Sequence, residues 1–376
     1  MCGTAGKKCN PFTLTSNVLR QRLLLLINSR PLGINDITRK LGISTDEVIK
    51  HLNELIRCGL VIEVNGLYKP SFAIFSLKDQ KTLQPLIDKL SDDIVRVVKN
   101  YEGELRKVID DLSIVRRGLK FADLKYVIIG AITLDYEGLE ILSKEGILVK
   151  SRKMPGGECI FAGFEVGLMD LRQVWMWGHN EVFGGYWFSS HGKLPPRGMR
   201  IALPDLTWLW HEDSRGIDKV KPKMIEIGNI LEALLYNDLT IGDLSKELNM
   251  EEVDLIAELA LLLALGYVIL YKGRTLRINI PVFTLKDYEN VKSLSGCVLR
   301  SIVGSLKDKE DTIVEYYGKT SPARNGVHVK EAFNQIYHLI FGRTLTKLIR
   351  NGIIKSPPLR PDGGEYSVFM VILNGV

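Results

Sequence analysis

Long apolar runs are missing from these 376 residues. The longest, Leu255 to Leu270, carries Glu258 and breaks at Gly266. It suits a buried helix followed by a strand and falls short of the roughly 20 apolar residues of a membrane-spanning helix. The N-terminus has lysines but no apolar signal core, since Leu23 to Ile27 is only five residues, so a cytoplasmic protein with no membrane partner is expected. Cysteine is sparse as well. Cys2, Cys9, Cys58, Cys159 and Cys297 are scattered, odd in number and without a CxxC pair, which argues against a disulfide framework and a zinc knuckle. Glutamine is scarce beside Ile, Leu, Lys and Glu, a composition that leans toward a thermophilic source. No phosphate-binding glycine loop, nucleophile elbow or paired-carboxylate motif stands out, so neither catalysis nor a cofactor is expected. What remains is a globular composition, 45% hydrophobic and 25% charged, long enough for two or three domains.

Sliding the sequence against itself by about 207 residues reveals a repeat. IFSLKD at Ile74 to Asp79 returns as VFTLKD at Val282 to Asp287, and ITRKLGISTDEV at Ile37 to Val48 matches LSKELNMEEVDL at Leu244 to Leu255. EILSKEGIL at Glu140 to Leu148 matches KLIRNGII at Lys347 to Ile354, and PGGE ending at Glu158 answers DGGE ending at Glu365. The offset stays between 206 and 208 in the same order, which chance likeness between helices does not sustain. Two whole units are expected, not a solenoid.

The front of each unit reads helix, helix, helix, hairpin. Leu19, Leu23, Leu26 and Ile27 share a helical face after the cap candidates Thr15 and Ser16. Asn35 can cap a short helix ended by Gly42. Ser44 and Glu47 form a capping box for a third helix, with Val48, Leu52, Leu55 and Ile56 as its apolar stripe and Gly59 as its stop. Asn65-Gly66 then predicts a type I′ hairpin. Two short helices, a tight turn and a hairpin make a winged helix-turn-helix. Residues 16 to 79 resemble an archaeal winged helix of the ArsR-like class, and residues 225 to 287 a diverged sibling. The resemblance implies a DNA-binding transcriptional regulator. Metal sensors of that class carry clustered cysteines at the recognition helix. Only Cys58 stands there, so no metal is expected.

The domains expected are a tail (1–15), a winged helix (16–79), a helical plus hairpin domain (80–166) and a Trp/His-rich connection (167–222). A degenerate winged helix (223–287) and a second helical plus hairpin domain (288–376) follow. The fold class is mainly α with small β-hairpins (α+β), as tandem winged-helix units related by an approximate two-fold axis.

On the third helix Lys50, Asn53 and Arg57 face away from the apolar stripe, with Thr45 and Ile49 near its start, and can meet phosphates and base edges of double-stranded DNA. Arg20, Arg22, Arg39 and Lys40 add a basic surround, and Lys69 lies in the wing. Met1 to Leu60 holds nine Lys/Arg against four Asp/Glu. The bland alternative is a solvated face of a protein-binding module.

The connection concentrates Trp175, Trp177, His179, Trp187, His191, Trp208, Trp210 and His211. These residue types suit a pocket for a small-molecule effector, or a clamp that buries indoles between the two units. At the 207-residue offset Lys50, Asn53 and Arg57 become Ala257, Ala260 and Ala264, and Lys223 to Ile280 holds five Lys/Arg against nine Asp/Glu. Only the first winged helix should therefore read DNA, from the two ends of a homodimer if such a dimer forms. The second should sit in a protein interface. The competing functions are a non-catalytic protein scaffold and, behind it, a ligand-responsive or enzymatic connection.

Overall fold

The computed structural model describes residues 2–4, 9–119, 121–149, 151–155, 157–167, 176–195, 200–210 and 214–373. The protein is mainly helical with small sheets, an α+β fold. Among the described residues no helix is long and apolar enough to cross a membrane. The chain forms two compact units, neither contiguous in sequence. One unit comprises Met1–Val95, Gly138–Trp175 and Arg300–Thr344, and the other Arg96–Glu137, Met176–Leu299 and Leu345–Val376.

In the first unit a head is built from the helices Val18–Ser29, Ile34–Leu41 and Thr45–Arg57 and the strands Val61–Val64 and Leu67–Pro70. Its caps explain its boundaries, and two differ from expectation. Thr15 and Ser16 do not cap the first helix, because Pro11–Thr15 is a short helix of its own. Asn17 caps instead, its Oδ1 accepting from Leu19 N at 2.9 Å and Arg20 N at 3.2 Å. The second helix begins one residue before Asn35, with Gly33 as N-cap, and ends at Gly42 in the left-handed region. Ser44 Oγ accepts from Glu47 N at 3.2 Å, as the capping box requires. Asn65 and Gly66 both take positive φ, which aligns Val64 with Leu67 across a two-residue turn. Leu23, Ile27, Ile37, Val48, Leu52 and Leu55 make the core, each contributing roughly 1.5–3 kcal/mol by its burial. One crosslink was not legible in the cysteine spacing: Cys9 pairs with Cys58, the residue that caps the third helix.

In the second unit the helices Ser214–Tyr236, Ile241–Leu248 and Glu252–Ala264 and the strands Val268–Tyr271 and Thr275–Ile278 form another head in the same order. Left-handed backbone recurs at matching offsets: Gly42 and Asn249, Gly59 and Gly266, Asn65-Gly66 and Lys272-Gly273, Gly118 and Gly326, Gly146 and Gly352. Helix ends and tight turns demand positive φ, so these positions mark where each element must stop.

Each head continues into a short strand and then a long helix. Ala73–Phe75 pairs in parallel with Ala162–Phe164, and Val282–Phe283 pairs in parallel with Met370 and Val371. The helices Leu77–Asn100 and Leu285–Lys307 follow. The first stops at Asn100, and after a break at Tyr101 the chain resumes as the helix Glu102–Asp110.

The repeated LKD explains itself here. Asp79 Oδ2 accepts from Ser76 N at 2.9 Å, and Asp287 Oδ2 accepts from Thr284 N at 3.1 Å, each capping its own helix. The other oxygens reach across the sequence. Asp79 Oδ1 accepts from Ser321 N at 2.8 Å, while Asp287 Oδ1 accepts from Ser113 N at 3.2 Å. Ser113 and Ser321 stand 208 residues apart, as do Asp79 and Asp287. Each head thus holds the helix start that follows the other head in the chain.

The connecting segment supplies a hairpin to the second unit. Trp177–Phe183 pairs with Tyr186–Gly192, which pairs in turn with Tyr366–Ile372, giving a four-stranded sheet completed by Val282–Phe283. The sheet packs beside a π-helical stretch, Val127–Glu137, that is almost wholly buried.

Candidate nucleic-acid interface

The third helix of the first head turns Val48, His51, Leu52 and Leu55 inward and leaves Thr45, Lys50, Asn53 and Arg57 exposed, with Ile49 half-buried. Among the described residues Lys50 and Arg57 make no ion pair. Arg39 and Lys40 are also exposed, Arg39 held by Asp36 one helical turn back. Such a surface pair is worth little and yields easily to a phosphate. Lys69 is half-buried, its ammonium near Gly326. Asp46 and Glu47 occupy the first turn of the same helix, where they complement its dipole.

Arg20 does not belong to the basic surround. Its guanidinium binds Glu54 of the third helix, while Nε donates to His51 Nδ1 at 3.2 Å and Nη1 to Leu14 O at 3.3 Å. It braces the first helix against the third. Burial, and then the Arg20 charge, push the His51 imidazole below its ordinary pKa of 6.5, which keeps it neutral beside the guanidinium. Sequence reading missed His51 because it falls among exposed polar positions in the pattern.

The third helix of the second head keeps the inward half, with Leu255, Leu259 and Leu262 buried. Its outward half is exposed and apolar, with Val253, Ile256, Leu261 and Leu263 among the exposed large hydrophobic residues and Ala257, Ala260 and Ala264 between them. Of the wing's cations, Arg277 is committed to Asp238, Nε donating to Oδ2 at 3.0 Å, and stacks over Tyr271. Lys272 and Arg274 lie in the turn, on either side of Gly273.

From Met176 on, the connecting-segment residues belong to the second unit. Trp187 is half-buried, its ring meeting Tyr136 and Tyr288 at 5.3 Å and Phe369 at 5.8 Å, all edge-on. Trp177 is half-buried, and its carbonyl accepts from Arg200 Nη1 at 2.7 Å. His179 is half-buried beside Glu181. His191 is fully buried, Nδ1 3.1 Å from Tyr126 Oη and Nε2 3.3 Å from Asp135 Oδ2. A side chain at Gly178 would collide with that carboxylate, so the backbone there packs closely against the His191–Asp135 pair. Trp175 and His211 lie outside the described residues. Trp208 and Trp210 fall in the helix Leu203–Trp210.

A buried ion pair also went unread in the sequence. Arg200 donates to Asp205 Oδ1 from Nε at 3.0 Å and from Nη2 at 2.8 Å, and Ser190 Oγ donates to the other oxygen. A charge this deep needs such direct pairing to be tolerated, here with two guanidinium nitrogens converging on one carboxylate oxygen. A notch lined by Ile201, Leu265, Tyr267, Arg360, Pro361, Tyr366 and Val368 is too shallow to enclose even a water molecule, against the roughly 300 Å³ at which ligand pockets begin. Among the described residues no three His, Cys, Asp or Glu side chains gather as metal ligands.

No family model, curated protein or solved structure matches the chain.

Proposed function

We propose that this chain is a DNA-binding transcriptional regulator made of two tandem winged-helix units, of which only the N-terminal one reads DNA. The recurring element order, the matched left-handed positions and the reciprocal Asp79–Ser321 and Asp287–Ser113 bonds support a duplicated unit with its halves exchanged. The observation that carries the DNA reading is the exposed row Lys50, Asn53 and Arg57 on a capped third helix, followed by a type I′ wing, in a segment of net charge +5 over Met1 to Leu60. Cations in such a row neutralise phosphates, and an amide can meet an adenine edge. The role is one of binding, not catalysis.

A protein-interaction scaffold is the second reading, and the exposed apolar helix of the second head favours it. Titration of duplex DNA at several salt concentrations separates the two. The regulator loses affinity steeply with salt, with a log–log slope of about −0.9 per phosphate contact. Lys50→Ala with Arg57→Ala should weaken binding by roughly 1–3 kcal/mol, and Lys272→Ala with Arg274→Ala by clearly less. Salt-independent or absent binding sinks the regulator. Greater damage from the wing pair sinks the assignment of heads.

A further inference from the structure

The helix Glu252–Ala264 has one exposed side. At about 100° per residue, Val253, Ala257, Ala260 and Ala264 form its midline, with Ile256 and Leu263 on one flank and Leu261 on the other. Val253 is 74% exposed, Ile256 50%, and Leu270 of the strand packed on this helix 56%. With Ile269 these side chains leave on the order of 500 Å² of apolar surface in water, as large as the biggest patch on a typical soluble monomer.

Charge narrows what can cover it. Lys223 to Ile280 carries a net −4, which repels nucleic acid. The only charged side chains on the helix's exposed surface are Glu252 and Asp254 in its first turn, with Glu251 at the cap. A partner recognised by charge therefore has nothing to bind over most of the patch.

We propose that a second copy of this chain covers the patch with the same face, two Glu252–Ala264 helices crossing antiparallel near Ala260. Antiparallel crossing sends the acidic first turns to opposite ends of a 13-residue helix, roughly 20 Å apart and beyond the Debye length of about 8 Å. A parallel crossing would set them side by side. Ala257, Ala260 and Ala264 let the backbones approach, and the larger flanking side chains of each copy fill the grooves beside them. A contact made by the same face on both copies closes at two chains, whereas unlike faces would propagate a filament. The patch supplies more than half of the about 800 Å² that each partner buries in a stable interface, and the surrounding rim supplies the rest. If the DNA reading of the previous section holds, on which this consequence rests, each dimer presents two N-terminal heads to two half-sites.

Light scattering after gel filtration tests the dimer. The wild-type chain should run at twice its 42.3 kDa, and Ala260→Arg with Leu263→Lys should run at the single-chain mass with an unchanged melting temperature, since both sites are exposed. Ala260→Cys under mild oxidation should trap a covalent dimer that the wild type does not form. A wild-type monomer overturns the proposal. So does a dimer that survives the double substitution while Ala260→Cys fails to crosslink. The DNA reading stands or falls separately. A dimer that ignores duplex DNA sinks only that reading, and a DNA-binding monomer sinks only the dimer.

Discussion

The helices Thr45–Arg57 and Glu252–Ala264 are both 13 residues long and occupy the same place in their heads. Inward, Val48, Leu52 and Leu55 stand over Leu255, Leu259 and Leu262, all buried. Outward, Asp46, Lys50, Asn53, Glu54 and Arg57 stand over Val253, Ala257, Ala260, Leu261 and Ala264. The buried half answers to packing, where a lost methylene is felt, so its character is the same in both. The outward half answers only to what it meets outside the head, and there the two helices differ. Even the one buried polar position differs. His51 meets Arg20, whereas Glu258 meets Lys223, an opposite-sign pair in place of a neutral ring beside a guanidinium.

The shared half can be broken first. Leu52→Ala and Leu259→Ala should each cost roughly 2–5 kcal/mol, and similar losses in chemical denaturation would show that the two cores are equivalent. A loss confined to one head would show that the likeness is one of outline only. The crosslink sharpens the contrast, because Leu265 stands where the repeat would place a second Cys58. Cys9→Ser, or a reductant, should lower the stability of the first head by about 2–4 kcal/mol through the 49-residue loop it releases, and leave the second head unaffected. Hydrogen exchange resolved by segment measures both.

The smallest effect concerns pH. The unfolded chain protonates His51 near 6.5, and the folded chain only at lower pH because burial and Arg20 oppose the charge. The folded state then binds fewer protons. Stability is full above about pH 6.5 and declines as pH falls from there toward the lowered folded value, below which the loss levels off. Urea melts of wild type and His51→Gln should diverge across that window, with the steeper decline in wild type. Glu258 offers the second head no imidazole to charge there. Parallel pH profiles for wild type and His51→Gln would discard the account.

The first head was legible at the level of elements because its signals are local. Ser44, Gly42, Gly59 and Asn65-Gly66 fix helix ends and a turn through their own backbones, and the apolar spacing fixes which side of each helix faces in. The cap at Asn17 was missed by one or two residues, since neighbouring polar side chains can reach the same amides, and the cap at Gly33 was missed because it makes no side-chain bond for a polar residue to signal. On the candidate interface, Lys50, Asn53 and Arg57 are as exposed as the pattern implied. Arg20 is not, because a charge count cannot see that Glu54 and His51 stand one helix away. His191 and Arg200 were equally opaque. The partners of His191 are Tyr126, which ends the helix Phe121–Tyr126, and Asp135 in the π-helical stretch, and only folding brings them to the sheet. Arg200, by contrast, finds Asp205 five residues along the chain.

By itself the sequence determined the helix ends, the tight turn and the apolar stripe of the first head and the apolar character of the second outward face, each of which depends on residues within a few turns of one another. Only the tertiary structure decided that Arg300–Thr344 joins the unit of the first head and Arg96–Glu137 that of the second, with Asp79 holding Ser321 and Asp287 holding Ser113. These bonds join residues 242 and 174 positions apart, so no local pattern could show which back segment each head would hold.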